Sequence, residues 1–159
     1  LFIQLAKDLR DLSDTSFYMV GRIPEYNQGQ WTELLNPEQE SSNLSYLGRL
    51  TVNEINHLLE NADLLVNTSA VEGFPNTFIQ AWMRSVPVVT IGINPDNVIS
   101  DYGIGICVEN YEKMVTTVRD LIQNDSLRKE MGAKSRSYSV EKHSMNNANA
   151  LVDFLVSGC

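Results

Sequence analysis

The stretch "ADLLVNTSAVEGFPNTFIQAW", residues 62–82, changes character in its middle. Its first part, from Ala62 to Ser69, is a short apolar run of the kind expected of a strand buried on both faces. Its last part places apolar side chains at helical spacing: Phe78, Ala81 and Trp82. Glu72 therefore stands in a turn at the carboxyl end of a predicted strand, which is where open parallel sheets bind their ligands.

Strands and helices are predicted to alternate on both sides of this stretch. The apolar runs that begin at Ser16 and Leu44 predict strands, and each ends in Gly-Arg, at Gly21 and Gly48. The run "VPVVTI" predicts another strand, and a Thr-x-x-Glu capping box at residues 51–54 predicts a helix start. Helices are predicted at residues 1–12, 29–40, 51–62, 76–84, 114–122, 126–138 and 145–155.

This alternation predicts an α/β fold, a Rossmann-like doubly wound parallel sheet with helices on both faces and further helices at its carboxyl end. With 159 residues and 43% hydrophobic content, residues 1–159 are expected to form a single domain around one core. The chain begins within a helical pattern and without an initiator methionine. We therefore expect it to be a fragment of a longer protein.

Composition excludes several classes of partner. The formal net charge of −8 argues against binding to nucleic acid or to an anionic membrane surface. No apolar run approaches the roughly 20 residues that a membrane span needs. The two cysteines, Cys107 and Cys159, do not suggest a disulfide framework, and the distant His57 and His143 do not suggest a metal site. A cytoplasmic setting is expected, with any membrane association arising from a domain outside this chain.

The turn at residues 69–80 combines features that favour a nucleotide sugar as ligand. Backbone N–H groups at a helix start lack intrahelical partners and favour an anion such as a diphosphate. Gly73 permits close approach to the backbone, and the Glu72 carboxylate can accept hydrogen bonds from sugar hydroxyls. Gln80 can reach a second polar part of the same ligand. A structural explanation stays open, because acidic residues near helix starts complement the helix dipole.

The segment "NTSAVEGFPNTFIQAWMRSVPVVT", residues 67–90, resembles the signature of the group-1 retaining glycosyltransferases. That signature is Glu-Gly-Phe, then Glu or Gln six residues later, an apolar helix and Pro-Val-Val. The likeness extends to "YLGRL", "NPDNVISDYGIGICV" and "LRKEMGAKSRSYSVEKHS", and so covers nearly the whole chain. It implies the carboxyl-terminal, donor-binding half of the GT-B fold, in which two Rossmann-like domains face each other across a cleft.

The resemblance also implies roles for individual residues. Glu72 would hold hydroxyls of the transferred sugar at the catalytic centre, and Gln80 stands where the family often has a glutamate that binds the ribose. The diphosphate would lie against the turn formed by Gly73, Phe74, Pro75, Asn76 and Thr77. The loops flanking the base would contain Gly21, Arg22, Gly48, Arg49 and Leu50. The expected donor is a UDP- or GDP-sugar, with no cofactor or metal.

One departure from the family pattern affects what this chain should do alone. The family's first strand, and the basic loop that neutralises the donor diphosphate, would both precede the helix that opens this chain. We therefore expect a sheet with a gap or an exposed edge. The acceptor, a glycan, lipid or other hydroxyl compound, would bind the other domain. Without the cationic clamp, the chain alone is expected to bind donor weakly and to be inactive.

Two alternatives to sugar transfer with retention stay open. One is a nucleotide-sugar epimerase, which can share the two-domain fold, although the Glu-Gly-Phe segment with Gln80 matches the transferases better. The other is a non-catalytic α/β module that binds a nucleotide or a protein partner.

Overall fold

Strands and helices alternate along the described chain, which comprises residues 1–23, 43–69 and 71–144 of a computed structural model. The strands are β1 (Phe17–Val20), β2 (Leu44–Gly48), β3 (Leu65–Asn67), β4 (Val88–Ile91) and β5 (Gly105–Val108). The helices are α1 (Phe2–Asp8), α2 (Val52–Glu60), α3 (Asn76–Trp82), α4 (Val98–Tyr102), α5 (Tyr111–Gln123) and α6 (Asp125–His143), with a 3-10 turn at Pro95–Asn97. The helices predicted at 29–40 and 145–155 lie outside the described residues.

The described strands pair in parallel throughout, as predicted, and form two hydrogen-bonded groups. β1 pairs with β2, and β4 lies between β3 and β5. Val88 at the start of β4 is level with Leu65 on one side and Gly105 on the other. Among the strands of the described residues, hydrogen bonding does not run from one group to the other, as in the sheet with a gap expected from the sequence.

β4 is buried on both faces and divides the core into two clusters. Its consecutive residues Val88 and Val89 are both fully buried, and they belong to different clusters because neighbouring side chains of a strand point to opposite faces. Val88 packs with side chains of α3 and α4, whereas Val89 packs with side chains of α1 and α5. Helices therefore cover both faces, which confirms the doubly wound α/β prediction.

The capping box predicted at the start of α2 is present. The Thr51 hydroxyl accepts a hydrogen bond from the Glu54 N–H, and a Glu54 carboxylate oxygen accepts one from the Thr51 N–H at 2.7 Å. At the starts of α5 and α6 the side chains of Asn110 and Asn124 each accept a hydrogen bond from a backbone N–H, without the reciprocal bond of a capping box. Each of these three helices therefore begins with its own side-chain acceptor for a backbone N–H group.

Three predicted element lengths need correction. The helix predicted over residues 1–12 is shorter, because α1 ends at Asp8. The strand predicted at "DLLVN", residues 63–67, within the apolar run 62–69, begins only at Leu65. It ends at Asn67, as predicted, where the Asn67 Oδ1 atom accepts a hydrogen bond from the Ser69 N–H at 2.7 Å and turns the chain. The helix predicted over residues 126–138 is the 19-residue α6. Gly132 lies within this helix, at a point where α6 approaches the backbone of Ser85 too closely for a side chain.

Candidate functional site

The turn between β3 and α3 begins with exposed residues and ends with residues that pack into the protein. Glu72 and Gly73 are exposed, whereas Phe74 is half-buried and Pro75 is buried. Pro75 is the N-cap residue of α3, with extended backbone angles and no side-chain cap. Since α2, α5 and α6 each have a side-chain cap, the uncapped start of α3 leaves its first N–H groups for solvent or a ligand.

Glu72 lies in the turn shortly before this uncapped start. The side chain is exposed, and within the part of the chain that the structure describes it has no hydrogen bond or ion pair. Asn76 and Thr77, the first two residues of α3, are exposed as well. The turn therefore brings an acceptor-only carboxylate and two unshielded helix-start residues to the carboxyl end of a strand, as the sequence predicts.

Gln80 lies one turn further along α3 and is half-buried. Its backbone carbonyl accepts a hydrogen bond from the Arg84 guanidinium at 3.1 Å. Arg84 also lies 3.8 Å from a carboxylate oxygen of Glu60, so it joins α3 to the end of α2. The positive charge of Arg84 is thus held at the carboxyl-terminal end of α3, away from the uncapped start.

The two glycines predicted to flank a nucleotide base lie next to each other. The Gly21 N–H donates to the Gly48 carbonyl at 2.9 Å, and the Tyr46 hydroxyl donates to the Gly21 carbonyl at 2.7 Å. Gly48 has φ 68°, a left-handed conformation that favours glycine. Arg22 and Arg49 are exposed and Leu50 is half-buried. These residues follow β1 and β2, whereas Glu72 follows a strand of the other hydrogen-bonded group.

A cluster of four aromatic rings lies behind the turn. Phe74 contacts Trp82 edge-on, with ring centroids 6.0 Å apart, and contacts His143 at 5.5 Å. Tyr138 contacts the same two rings, at 5.4 Å from Trp82 and 5.5 Å from His143. Burial lowers the pKa of His143 and raises the pKa of Tyr138. Sequence reasoning missed both residues of α6, because they lie in a polar stretch far along the chain.

Metal ligation and membrane insertion find no support in the described ranges. Among residues 1–23, 43–69 and 71–144, no group of three or more His, Cys, Asp or Glu side chains is placed to hold a metal ion. His57 lies 3.2 Å from the Glu60 carboxylate on the exposed side of α2. The helices of these same ranges include none that is long and apolar enough to cross a membrane.

Most of the chain matches a known family of proteins. Residues 1–124 match the family described as glycosyl transferases group 1. The chain belongs to this family, and its fold is that of the carboxyl-terminal domains of the GT-B members.

The chain is also similar to individual proteins of known activity or structure. It is 36% identical over 90 residues to a poly(ribitol-phosphate) alpha-N-acetylglucosaminyltransferase of Staphylococcus aureus (strain COL), which is 54% of this chain and 18% of that protein. A mutant of S. aureus TarM, solved with Fondaparinux, alpha-GlcNAc-glycerol and UDP, superposes with a TM-score of 0.76 at 25% identity, over 91% of this chain and 30% of TarM.

A third similar structure is itself a single domain. The C-terminal domain of a glycosyl transferase group 1 family protein (LpcC) from Francisella tularensis superposes with a TM-score of 0.78 at 20% identity. The match covers 90% of this chain and 77% of that domain, a likeness of fold. The chain thus spans less than a fifth of the curated relative, at 18%, but most of this domain.

Proposed function

We propose that this chain is the donor-binding part of a glycosyltransferase that moves a sugar from a nucleoside diphosphate to an acceptor hydroxyl with retention. The observation that carries the assignment is the turn at residues 72–77, where an exposed carboxylate directly precedes a helix start that no side chain caps. The UDP in the TarM complex supports a nucleoside diphosphate as the carrier.

Each part of the turn has a chemical role in this proposal. The Glu72 carboxylate accepts hydrogen bonds from hydroxyl groups of the transferred sugar. Amide N–H groups between Gly73 and Thr77 receive the diphosphate, except at Pro75, which has no N–H. Gln80 accepts from the ribose through its amide oxygen, without the charge of a glutamate. The leaving phosphate, held by the amides, takes the proton from the acceptor hydroxyl.

In the same proposal, the nucleotide base binds beside the two loops that Gly21 and Gly48 join. The contact between Gly21 and Gly48 brings two loops together at the carboxyl ends of β1 and β2, and the neighbouring Arg49 and Leu50 offer a cation and an apolar side chain. Retention is supported by the alpha-linked product in the name of the S. aureus relative, because an alpha-linked donor gives an alpha product when configuration is kept.

Donor affinity should be low for this chain alone. Its formal net charge is −8, and Arg84, the arginine next to α3, is engaged by Glu60 and by the Gln80 carbonyl. Backbone amides must therefore hold the diphosphate with little cationic help, which removes much of the usual electrostatic stabilisation of a leaving group. We expect binding near the millimolar range and no turnover, with the acceptor site on a second domain.

Titration of the 159-residue chain with UDP, GDP and their sugars tests this proposal, with backbone amide chemical shifts as the readout. Glu72→Gln should weaken binding of the sugar nucleotide by about tenfold, the value of a hydrogen bond to a charged group, and should leave UDP binding unchanged. Glu112→Gln, a change at an exposed glutamate of α5, is the matched control. No shift response near residues 72–80 at millimolar ligand would contradict the proposal.

A further inference from the structure

Phe74 and the buried Pro75 both anchor the turn to the interior of the domain, and Phe74 does so through its aromatic ring. It is half-buried and packs against the core cluster on the Val88 side of the sheet. Its ring meets Trp82 at an interplanar angle of 84° and His143 at 57°. Trp82 belongs to α3, the helix that the turn itself begins. His143 is different, because it is the last residue of α6 and joins the turn to a separate part of the fold.

The His143 ring is held from behind by other parts of the core. Tyr138, one turn earlier on α6, contacts both His143 and Trp82, so the four rings form a closed circuit of contacts. Tyr102 of α4 in turn packs on Tyr138 with ring centroids 4.6 Å apart. Displacement of the His143 ring would therefore free one side of Phe74 while the rest of the cluster stayed supported.

The chemistry of His143 is that of an apolar ring. Burial lowers its pKa, so the imidazole is neutral at pH 7. Its Nε2 atom is buried and has no hydrogen-bond partner among the described residues. The contacts that the structure gives the His143 ring are with Phe74 and Tyr138, and phenylalanine can supply the same aromatic packing.

We propose that His143 is a positioning residue for the donor-binding turn, acting by holding the Phe74 ring and thereby fixing the backbone between Glu72 and Thr77. The consequence for donor binding rests on the proposed function, whereas the ordering of the turn does not. Since a hydrogen bond weakens steeply when its geometry is wrong, amides that fluctuate hold a diphosphate less well than amides that are fixed. The carboxyl end of α6 thus contributes to donor affinity without touching the donor.

The first test needs no ligand. Order parameters of the amides of Gly73, Phe74 and Asn76 are measured by nitrogen-15 relaxation in wild type, His143→Ala and His143→Phe. In His143→Ala they should fall from about 0.85 to below about 0.6, and His143→Phe should restore them. Val140→Ala, at an exposed position on the same turn of α6, should leave them unchanged. Unaltered order parameters in His143→Ala overturn the inference. If that variant does not fold, His143→Leu is measured in the same way.

The second test uses donor binding. His143→Ala should raise the Kd for UDP at least fivefold, and His143→Phe should return it to within twofold of wild type. Val118→Ala, which weakens the other core cluster without contacting the turn, should lower the unfolding temperature and leave the Kd unchanged. An equal rise of the Kd in Val118→Ala would show a general effect of stability and overturn the inference. If wild type binds no nucleotide, the proposed function fails, while the order parameters still decide the role of His143.

Discussion

Replacing Gly132 with alanine tests how closely α6 packs on the turn between α3 and β4. A Cβ atom at Gly132 would lie 2.2 Å from the carbonyl oxygen of Ser85 and 3.1 Å from its carbonyl carbon. Both contacts are with the backbone, so no flexible side chain can move aside. Ser85 itself has φ 60°, a left-handed conformation that leaves it little freedom to adjust. The two segments must therefore separate by about 1 Å to reach ordinary contact distance.

Two opposing effects determine how Gly132→Ala changes the free energy of unfolding. Forcing an extra methyl group into a packed contact costs about 1–3 kcal/mol, and alanine returns up to about 1 kcal/mol through its better helix propensity. We expect Gly132→Ala to lower the free energy of unfolding by about 1–2 kcal/mol, measured by urea unfolding followed by circular dichroism. For a chain of this size the unfolding temperature should fall by roughly 3–8 °C.

The control for this change is Ser137→Ala, at an exposed position of the same helix. It should alter the free energy of unfolding by no more than about 0.5 kcal/mol. A Gly132→Ala variant as stable as wild type, or more stable, would refute the argument from close approach. Because α6 also ends in His143, the separated helix should loosen the contact with Phe74, which the order parameters of the turn would detect.

Three further predictions concern single side chains. Thr51→Ala removes the side-chain acceptor of the α2 capping box and should lower the free energy of unfolding by about 1 kcal/mol in urea denaturation. Thr90→Val should raise it by about 1 kcal/mol, because the buried Thr90 hydroxyl has no partner among the described residues; a loss would reveal an unseen hydrogen bond. Burial lowers the His143 pKa below its ordinary 6.5, so the unfolded chain binds more protons and stability should fall as pH drops below about 6.5. His143→Phe should flatten this part of the stability profile, and an unchanged slope would assign it to another group.

The sequence predicted those parts of the fold that local pattern determines. The capping box at Thr51 and the spacing of Phe78, Ala81 and Trp82 each lie within one or two helical turns, and both helices are present. The parallel pairing followed from the alternation of elements. The predicted helix stopped at Tyr138, although α6 continues to His143, because the largely polar stretch that follows Tyr138 has no apolar stripe. The close contact of Gly132 with Ser85 is a tertiary feature that periodicity does not contain.

Some features of the candidate site were likewise predicted from local sequence pattern, and others are visible only in the structure. Glu72 and the helix start at Asn76 were predicted because strand, turn and helix follow one another directly in the sequence. The contact between Gly21 and Gly48 joins the ends of two neighbouring strands, and only the parallel pairing shows it. The contact of His143 with Phe74 had no local signal at all, since a histidine in a polar run gives no sign of burial. In similar sequences, a histidine or aromatic residue near the end of the helix that corresponds to α6 should be examined for the same contact with the turn.

The engagement of Arg84 by Glu60 and the Gln80 carbonyl makes the rigidity of the turn more important for the proposed function. The carboxylate of Glu60 and the Gln80 carbonyl hold the Arg84 guanidinium at the far end of α3, so under the proposed function an anion at the turn would be recognised mainly by backbone amides. An ion pair tolerates some misplacement, whereas amide hydrogen bonds require the donor to point at the acceptor. A turn that binds mainly through amides must therefore be fixed by packing. Phe74 provides that packing by inserting between α3 and the end of α6. Under the proposed function, core packing and donor affinity would therefore depend on the same ring.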